Sequence, residues 1–322
     1  MKALQLISME SGPVLVDLPE ARPESGQSLV RISHAALNLR DLWIIKGQYA
    51  GLKYPVILGS DLCGYVDDRR VVANPGSAWG DNEAVQAKSF RILGLPDDGA
   101  FAESVCIPSE YLYDVPAHLT DAEASALPTA GITAYRALFT KCRPVPGERL
   151  LITGIGGGVA LMVLKFAVAA GMEVFVTSSK DEKIKRAMEL GAAGGVNYTL
   201  EDWDQRLLEA SKGFHVIVDS AGGPGFAKLI KLSLGAGRIC VYGGSMGAIS
   251  DVKLQPVFWK QLSIYGTTMG TQSEFKSMLE FVSKHKIVPV VDQVFPLSDY
   301  RAAFSRLERR NQFGKIVFQM SL

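Results

Sequence analysis

Apolar positions fall into two regimes along the chain. Residues 1–120 carry short, alternating or broken runs, and Gly12, Pro13, Pro19, Pro23 and Gly26 cut the first of them into pieces, as turn chemistry predicts. Ser28–Ala36 alternates well enough for a strand, and Asn38–Gly47 reads as a short helix with a glycine stop. Tyr54–Asp61 is a loop entering a strand, Val66–Val72 a tight hairpin, and Gly99–Val105 a further strand. Pro116 opens a linker, and Thr120-Asp121-Ala122-Glu123 has the acidic first turn of a helix start. Residues 121–142 read as a helix pair interrupted at Pro128-Thr129-Ala130-Gly131.

From residue 148 to about 270 continuous apolar runs alternate with helical stretches. Arg149–Thr153 is a strand buried on both faces, followed at once by Gly154-Ile155-Gly156-Gly157-Gly158-Val159-Ala160. Leu161–Ala170 reads as a helix stopped by Gly171, and Glu173–Ser178 as the next strand. This order of strand, glycine turn, helix and strand is the front half of a dinucleotide-binding unit. A pyrophosphate needs backbone N–H groups and a helix N-terminus close by, and side chains on the turn would block that approach. A strict G-x-G-x-x-G would put glycine where Ile155 and Ala160 stand. Gly157-x-x-Ala160, preceded by Gly154 and Gly156, fits a looser variant. Standing alone, such a loop is equally a tight strand-to-helix turn.

The second strand's end bears on which nucleotide binds. Sites for NAD usually place Asp or Glu roughly 20 residues after the loop, on the ribose 2′-hydroxyl. Here the window is Thr177-Ser178-Ser179-Lys180-Asp181-Glu182-Lys183, and Gly195–Tyr198 is a short third strand. The hydroxyls of Thr177, Ser178 and Ser179, the Lys183 ammonium and the Tyr198 phenol suit a 2′-phosphate, which a carboxylate would repel. The expected cofactor is therefore NADPH, although Lys180 and Lys183 are equally what a solvated helix carries. Val216–Asp219 ends in Ser220-Ala221, Arg238–Tyr242 in Gly243-Gly244, and Ser263–Gly266 in Thr267-Thr268-Met269. Small residues after successive strands point to a cofactor crevice at their carboxyl ends. Beyond Gly270 come a helix (Glu274–Lys286), a strand near Val290–Val294, a helix (Ser298–Arg309) and a last strand, Lys315–Phe318.

Composition narrows the class. The 322 residues suffice for two domains, and the formal net charge of +1 argues against a general nucleic-acid or anionic-membrane binder. No apolar run approaches the length of a transmembrane helix. The segment Met1–Gln5 leads into a strand pattern without a signal peptide's apolar core, so a cytoplasmic location is expected. Cys63, Cys106, Cys142 and Cys240 are scattered, which argues against a disulfide framework or a zinc knuckle. They read as small core residues, with Cys63 the one placed to be reactive.

At this point the residues resemble a known family. Leu37-Asn38-Leu39-Arg40-Asp41, Pro55–Asp61, Leu127–Tyr135, the glycine loop and Phe313-Gly314-Lys315-Ile316-Val317 together look like the medium-chain dehydrogenase/reductase superfamily, in its zinc-free quinone-oxidoreductase-like branch. The resemblance implies an α/β fold. A β-rich GroES-like catalytic domain would comprise 1–122 and 271–322, and a Rossmann doubly wound parallel sheet binding NADP(H) would comprise 123–270, with the active site in the cleft between them. It implies a homodimer through edge strands near Leu254–Thr268, and it adds Phe313, Gly314 and Lys315 to the cofactor-binding set. Zinc alcohol dehydrogenases of the superfamily hold their metal with Cys, a His-Glu pair and a second Cys or Asp. The matching positions here are Asn38, Ser60-Asp61 and Thr129, and residues 74–98 hold no cysteine. One carboxylate among an amide and two hydroxyls does not make a zinc site, so no metal is expected. Family members carry a longer turn where this chain has Asp67-Asp68-Arg69-Arg70.

Without a Lewis acid, alcohol oxidation loses its alkoxide, whereas reduction of a quinone or an activated C=C needs less help. The expected activity is NADPH-dependent reduction of a small electrophile of that class. Asn38 and Tyr49 are candidate donors to the substrate oxygen, and Thr133 is the candidate for positioning the nicotinamide. Asp41, Ser60, Asp61 and Thr129 are candidate pocket residues, with Asp41 equally a helix cap. No general acid stands out. Three alternatives stay open: a nucleotide-bound binding or structural protein with little turnover, an alcohol-dehydrogenase-like carbonyl reductase, and a metal enzyme with an unfamiliar ligand set.

Overall fold

The computed structural model describes residues 1–320 and divides into two compact units, Met1–Ile132 with Gly270–Leu322, and Thr133–Met269. No helix among the described residues is long and apolar enough to cross a membrane.

In the first unit the strand Gln27–Ala36 is the centre of the main sheet. It pairs antiparallel with Asp61–Val66 on one side and Lys315–Gln319 on the other, and Ser104–Pro108 also pairs with it. The C-terminal strand thus returns to the N-terminal part of the chain. Ala36 faces both Asp61 and Val317 in register. Extending that register by two residues sets Lys315 opposite Asn38, just where the central strand gives way to the helix Leu39–Ile45. The sheet's core face packs Phe101 edge-on to Phe318 at 5.1 Å, with Leu4, Ile32, Leu58 and Leu62 around them. The hairpin between Asp61–Val66 and Arg69–Ala73 closes through Asp67-Asp68, with Asp67 in the left-handed region.

Two boundaries differ from the sequence pattern. The strand expected over Gly99–Val105 begins only at Ser104. Gly99, Ala100 and Phe101 instead donate backbone bonds to Ile57, Gly59 and Leu58, and Ala102 makes only an isolated bridge with Ala3. The helical break after residue 121 falls at Ala126-Leu127, not at Pro128–Gly131, because Pro128 opens the helix Pro128–Tyr135. A proline at the first helical position gives up only an N–H that has no helical acceptor.

The second unit contains six parallel strands: β1 (Arg149–Ile152), β2 (Glu173–Ser178), β3 (Gly194–Asn197), β4 (Phe214–Asp219), β5 (Ser233–Val241) and β6 (Ser263–Gly266). Their order is β3-β2-β1-β4-β5-β6. The order reverses between β1 and β4, and crevices at such points, beyond the carboxyl ends of the strands, are where nucleotides bind in doubly wound sheets. Leu151, Phe175, Phe214, Ile217 and Ile239 form the buried core of the sheet. The helix after the glycine loop starts at Gly158, three residues earlier than the apolar pattern suggested. The loop therefore contributes the first helical turn itself, whose N–H groups lack intrahelical acceptors.

Candidate functional site

Two chemical centres emerge, one in each unit. In the first, the chain brings Asn38, Ser60, Asp61 and Thr129 together with Lys315. Asp61 is fully buried, and its partners account for its charge: Lys315 Nζ lies 2.9 Å from Oδ2, and the Asn38 amide donates to the same oxygen at 2.9 Å. Oδ1 accepts from the Thr129 hydroxyl at 2.5 Å and from the Thr129 backbone N–H at 2.8 Å. Asn38 Nδ2 also donates to Ser60 Oγ at 3.1 Å, and its carbonyl oxygen accepts from Lys315 at 2.5 Å. Ser60 and Thr129 hydroxyls are 3.4 Å apart. Lys315 is only 5 % exposed. An ion pair this buried is tolerated only with further hydrogen bonds, which the Asn38 amide and Thr129 supply here.

Asp41 adjoins this cluster in the role of helix cap, its Oδ2 accepting the Asn38 backbone N–H at 2.8 Å. It is fully buried, and Oδ1 has no partner. Burial pushes its carboxyl up to about 6, against the opposing pull of Arg40. Tyr49 does not join the polar cluster. Its ring lies under the Arg40 guanidinium at 5.0 Å and packs on the hydrophobic core. Thr133 falls in the other unit and is 6 % exposed. The Cys63 thiol is fully buried, and burial, followed by the charge of Asp121, pushes it up to about 12. That favours the reading of Cys63 as a small core residue over the reactive one, since the thiolate is the nucleophile.

The second centre is the glycine loop. Gly154 N–H donates to Thr177 Oγ1 at 3.2 Å and Ile155 N–H to the Thr177 carbonyl at 2.8 Å, so Thr177 anchors the loop and is itself buried. Gly156 has φ +123°, a conformation essentially confined to glycine, and a Cβ there would meet Lys183 Cδ at 2.9 Å. Lys183 therefore lies directly over the loop. Gly157 faces open space, with no atom within 4 Å of where its Cβ would project. Ser178 is buried, with its hydroxyl accepting from Lys180 N at 3.2 Å, while Ser179 and Tyr198 are exposed beside it. An open Gly157, a helix N-terminus and an overlying ammonium fit a dinucleotide's phosphates.

Ser220, Ala221, Tyr242, Gly243 and Gly244 follow β4 and β5, and Thr268 and Met269 follow β6. Buried Asp219 builds the first of these turns, accepting from Thr153 Oγ1 at 2.5 Å, Ala221 N at 3.2 Å and Gly222 N at 2.8 Å. The sequence reading passed over Asp219, although an aspartate closing an apolar strand before Ser-Ala-Gly-Gly is a turn organiser by type. The resemblance also implies Phe313, Gly314 and Lys315 as cofactor-binding residues. In the structure all three belong to the first unit: Phe313 N–H bonds Asp292 at 2.9 Å, Gly314 abuts Val290, and the Lys315 ammonium goes to Asp61 and Asn38. The signal for Lys315 was its position at the head of an otherwise apolar strand, where a buried cation requires a carboxylate.

Known proteins match both halves. Residues 158–284 fit the zinc-binding dehydrogenase family ADH_zinc_N, and residues 24–117 the alcohol dehydrogenase GroES-like domain, ADH_N. A zinc-type alcohol dehydrogenase-like protein, YogA, from Leptosphaeria maculans is 34 % identical over 92 % of each chain. The crystal structure of an NAD-dependent alcohol dehydrogenase superposes with a TM-score of 0.94 at 33 % identity, covering 100 % of both chains. The quinone oxidoreductase of Thermus thermophilus, solved also with NADPH, gives 0.84 at 26 % identity over 99 % of this chain and 100 % of that one. Fold and likeness define an oxidoreductase. The chain belongs to the medium-chain dehydrogenase/reductase superfamily.

The zinc in these family names finds no fitting donors here. Among the described residues no three His, Cys, Asp or Glu side chains are grouped to hold a metal ion. At the cluster itself the one carboxylate is taken by an ammonium, and amide and hydroxyl oxygens are weak ligands for Zn²⁺.

Proposed function

We propose that this chain is an NADPH-dependent, metal-independent reductase of quinones or α,β-unsaturated carbonyls. The observation that carries this reading is the Lys315–Asp61 pair at the centre of the Asn38, Ser60 and Thr129 cluster, which supplies a fixed cation and polar groups where zinc relatives have ligands. A reduced nicotinamide, when bound, supplies the hydride. The protein's part is to hold the nucleotide on the glycine loop and to receive the substrate oxygen on the polar cluster, so that charge developing there meets fixed dipoles. Preference for NADPH rests on the hydroxyls of Ser178 and Ser179, the nearby Lys183 and Tyr198, and the absence of an acidic residue at the end of β2.

The deciding experiment is a fluorescence titration of EDTA-treated protein with NADPH and NADH, followed by a panel of quinones and enones read by nicotinamide absorbance. Tighter NADPH binding with turnover of either class supports the reading. Turnover only after zinc is added, or only of simple alcohols and aldehydes, overturns it in favour of a carbonyl reductase, the reading favoured by the likeness to an NAD-dependent alcohol dehydrogenase. Tight binding with no turnover on any substrate assigns a nucleotide-bound structural role. A homodimer through β6 is part of the proposal, supported by Leu254, Phe258 and Trp259 standing 67 %, 59 % and 79 % exposed beside that edge strand. Sedimentation at monomer mass would remove that part.

A further inference from the structure

A count of hydrogen-bond donors in the first unit's cluster singles out one group. The Asn38 amide has two N–H bonds, and both are taken, by Ser60 Oγ at 3.1 Å and Asp61 Oδ2 at 2.9 Å. The Thr129 hydroxyl must donate to Asp61 Oδ1, because a carboxylate only accepts. The Ser60 hydroxyl is left to donate towards Thr129 Oγ1, 3.4 Å away. Every neutral side-chain donor is therefore consumed inside the cluster. An ammonium carries three donors, and Lys315 uses two, on Asn38 Oδ1 and Asp61 Oδ2. Its third N–H meets no acceptor among the described residues, and the side chain keeps 5 % exposure. Asn38, which accepts from it, and Thr129, on the other oxygen of Asp61, are themselves partly exposed.

We infer that Lys315 is the electrophilic residue of the reaction, its remaining N–H donating to the carbonyl oxygen of an enone or quinone. This deepens the reductase reading and rests on it. The balance is simple. Hydride adds to the electron-poor carbon, the C=C electron pair shifts to the oxygen, and the enolate or phenolate so formed is neutralised by a proton from water. The nicotinamide is oxidised and the substrate reduced by two electrons. Throughout, Lys315 stays an ammonium. Its bond to the oxygen is charge-assisted and strengthens as the oxygen becomes anionic, which is the condition for lowering the barrier. Asp61 and Asn38 are positioning residues: they fix Nζ in place and take two of its three donors.

The test must separate this role from charge neutralisation of Asp61. Lys315→Met combined with Asp61→Asn removes both charges together and leaves no buried ion unpaired. Para-nitrophenol serves as a non-turnover probe, because its phenolate mimics the product oxyanion and absorbs differently from the phenol. The wild type and Lys315→Arg are expected to capture the phenolate and raise its ionised fraction. The folded double variant is expected to bind none, and to lose about 100-fold in kcat on enones with KM within about threefold. A folded double variant that retains phenolate capture and kcat overturns the inference while leaving the reductase reading intact. Phenolate capture that depends on Lys315, in a protein that turns over neither substrate class, keeps the oxyanion site and removes the reductase reading. Should the double variant fail to fold, nitrogen-15 NMR of lysine-labelled wild type decides: the Lys315 Nζ resonance shifts when para-nitrophenolate is added, and an unmoved resonance overturns the inference.

Discussion

The two centres of this chain are built on opposite plans. The glycine loop works by emptiness: backbone N–H groups at the start of a helix, Gly157 facing open space, and a single ammonium laid over Gly156. The Asn38–Asp61–Lys315 cluster works by saturation, with buried charges paired and every neutral donor committed to a neighbour. A site that must admit a large anionic ligand leaves backbone groups open and lets the ligand complete them. A site that must hold one charge in place over many turnovers is completed by the protein. The difference predicts that the cluster's residues matter chiefly to stability and chemistry, and the loop's chiefly to affinity.

The sharpest break of that contrast is Lys315→Met alone. It strands the Asp61 carboxylate at 0 % exposure, and removing one partner of a buried pair costs about 3–5 kcal/mol. Urea unfolding should show that loss, and adding Asp61→Asn should return most of it. An unchanged midpoint in the single variant would mean that the pair contributes no net stability. Lys183, over the loop, is the counterpart. Lys183→Met, at a partly exposed position, should cost less stability than Lys315→Met does.

Asp41 gives the next largest effect, and its sign follows from burial. Its folded carboxyl titrates near 6, above the ordinary 3.8, so the neutral form is the one the fold favours. The stability it contributes is complete below the unfolded value and is lost as pH rises through the folded one. Between about pH 3 and pH 7 the protein should lose about 3 kcal/mol on this account. Asp41→Asn keeps an oxygen to accept the Asn38 N–H and removes the titration. The difference in unfolding free energy between variant and wild type should grow in the variant's favour across that window. A constant difference would show Asp41 ionised at no cost.

How much of this was readable beforehand follows from how local each requirement is. The loop, its flanking strands and the helix depend on residues within one stretch, 149–178, and their glycine and apolar pattern exposed them directly. The cluster depends on residues 38, 60, 61, 129 and 315, which meet because the C-terminal strand pairs with Gln27–Ala36. The resemblance identified the first four as neighbours and implied Lys315 only as a cofactor-binding residue; its pairing with Asp61 was not legible, because nothing local records which buried carboxylate a lysine will find. Helix starts were missed by a few residues where glycine or proline sat inside the first turn, at Gly158 and Pro128. Both residue types look like breaks to a periodicity argument and are accepted at helix N-termini.

Within the loop itself affinity and folding can be separated. Lys183→Met should weaken NADPH about tenfold, the order expected for one charge-assisted contact, and leave NADH within about twofold. Equal losses for both nucleotides would place the ammonium on the shared pyrophosphate rather than on the 2′-phosphate.

The smallest expected change in stability is at Gly157, and it isolates the loop's purpose. Gly157 has φ −79° and ψ 157°, which any L-residue adopts, and no atom within 4 Å of its missing Cβ. Nothing in folding requires glycine there. Gly157→Ala should leave the unfolding midpoint unchanged or raise stability by up to about 1 kcal/mol, because alanine restricts the unfolded chain. Its methyl group would nevertheless project into the space left open at the helix N-terminus, where a phosphate must approach the backbone, and NADPH and NADH affinity should fall together. Gly156→Ala, one residue earlier, should lose about 1–3 kcal/mol of stability because φ +123° excludes a side chain. If Gly157→Ala binds nucleotide as tightly as the wild type, the open space serves no ligand, and the contrast between an empty site and a saturated one fails at its simpler end.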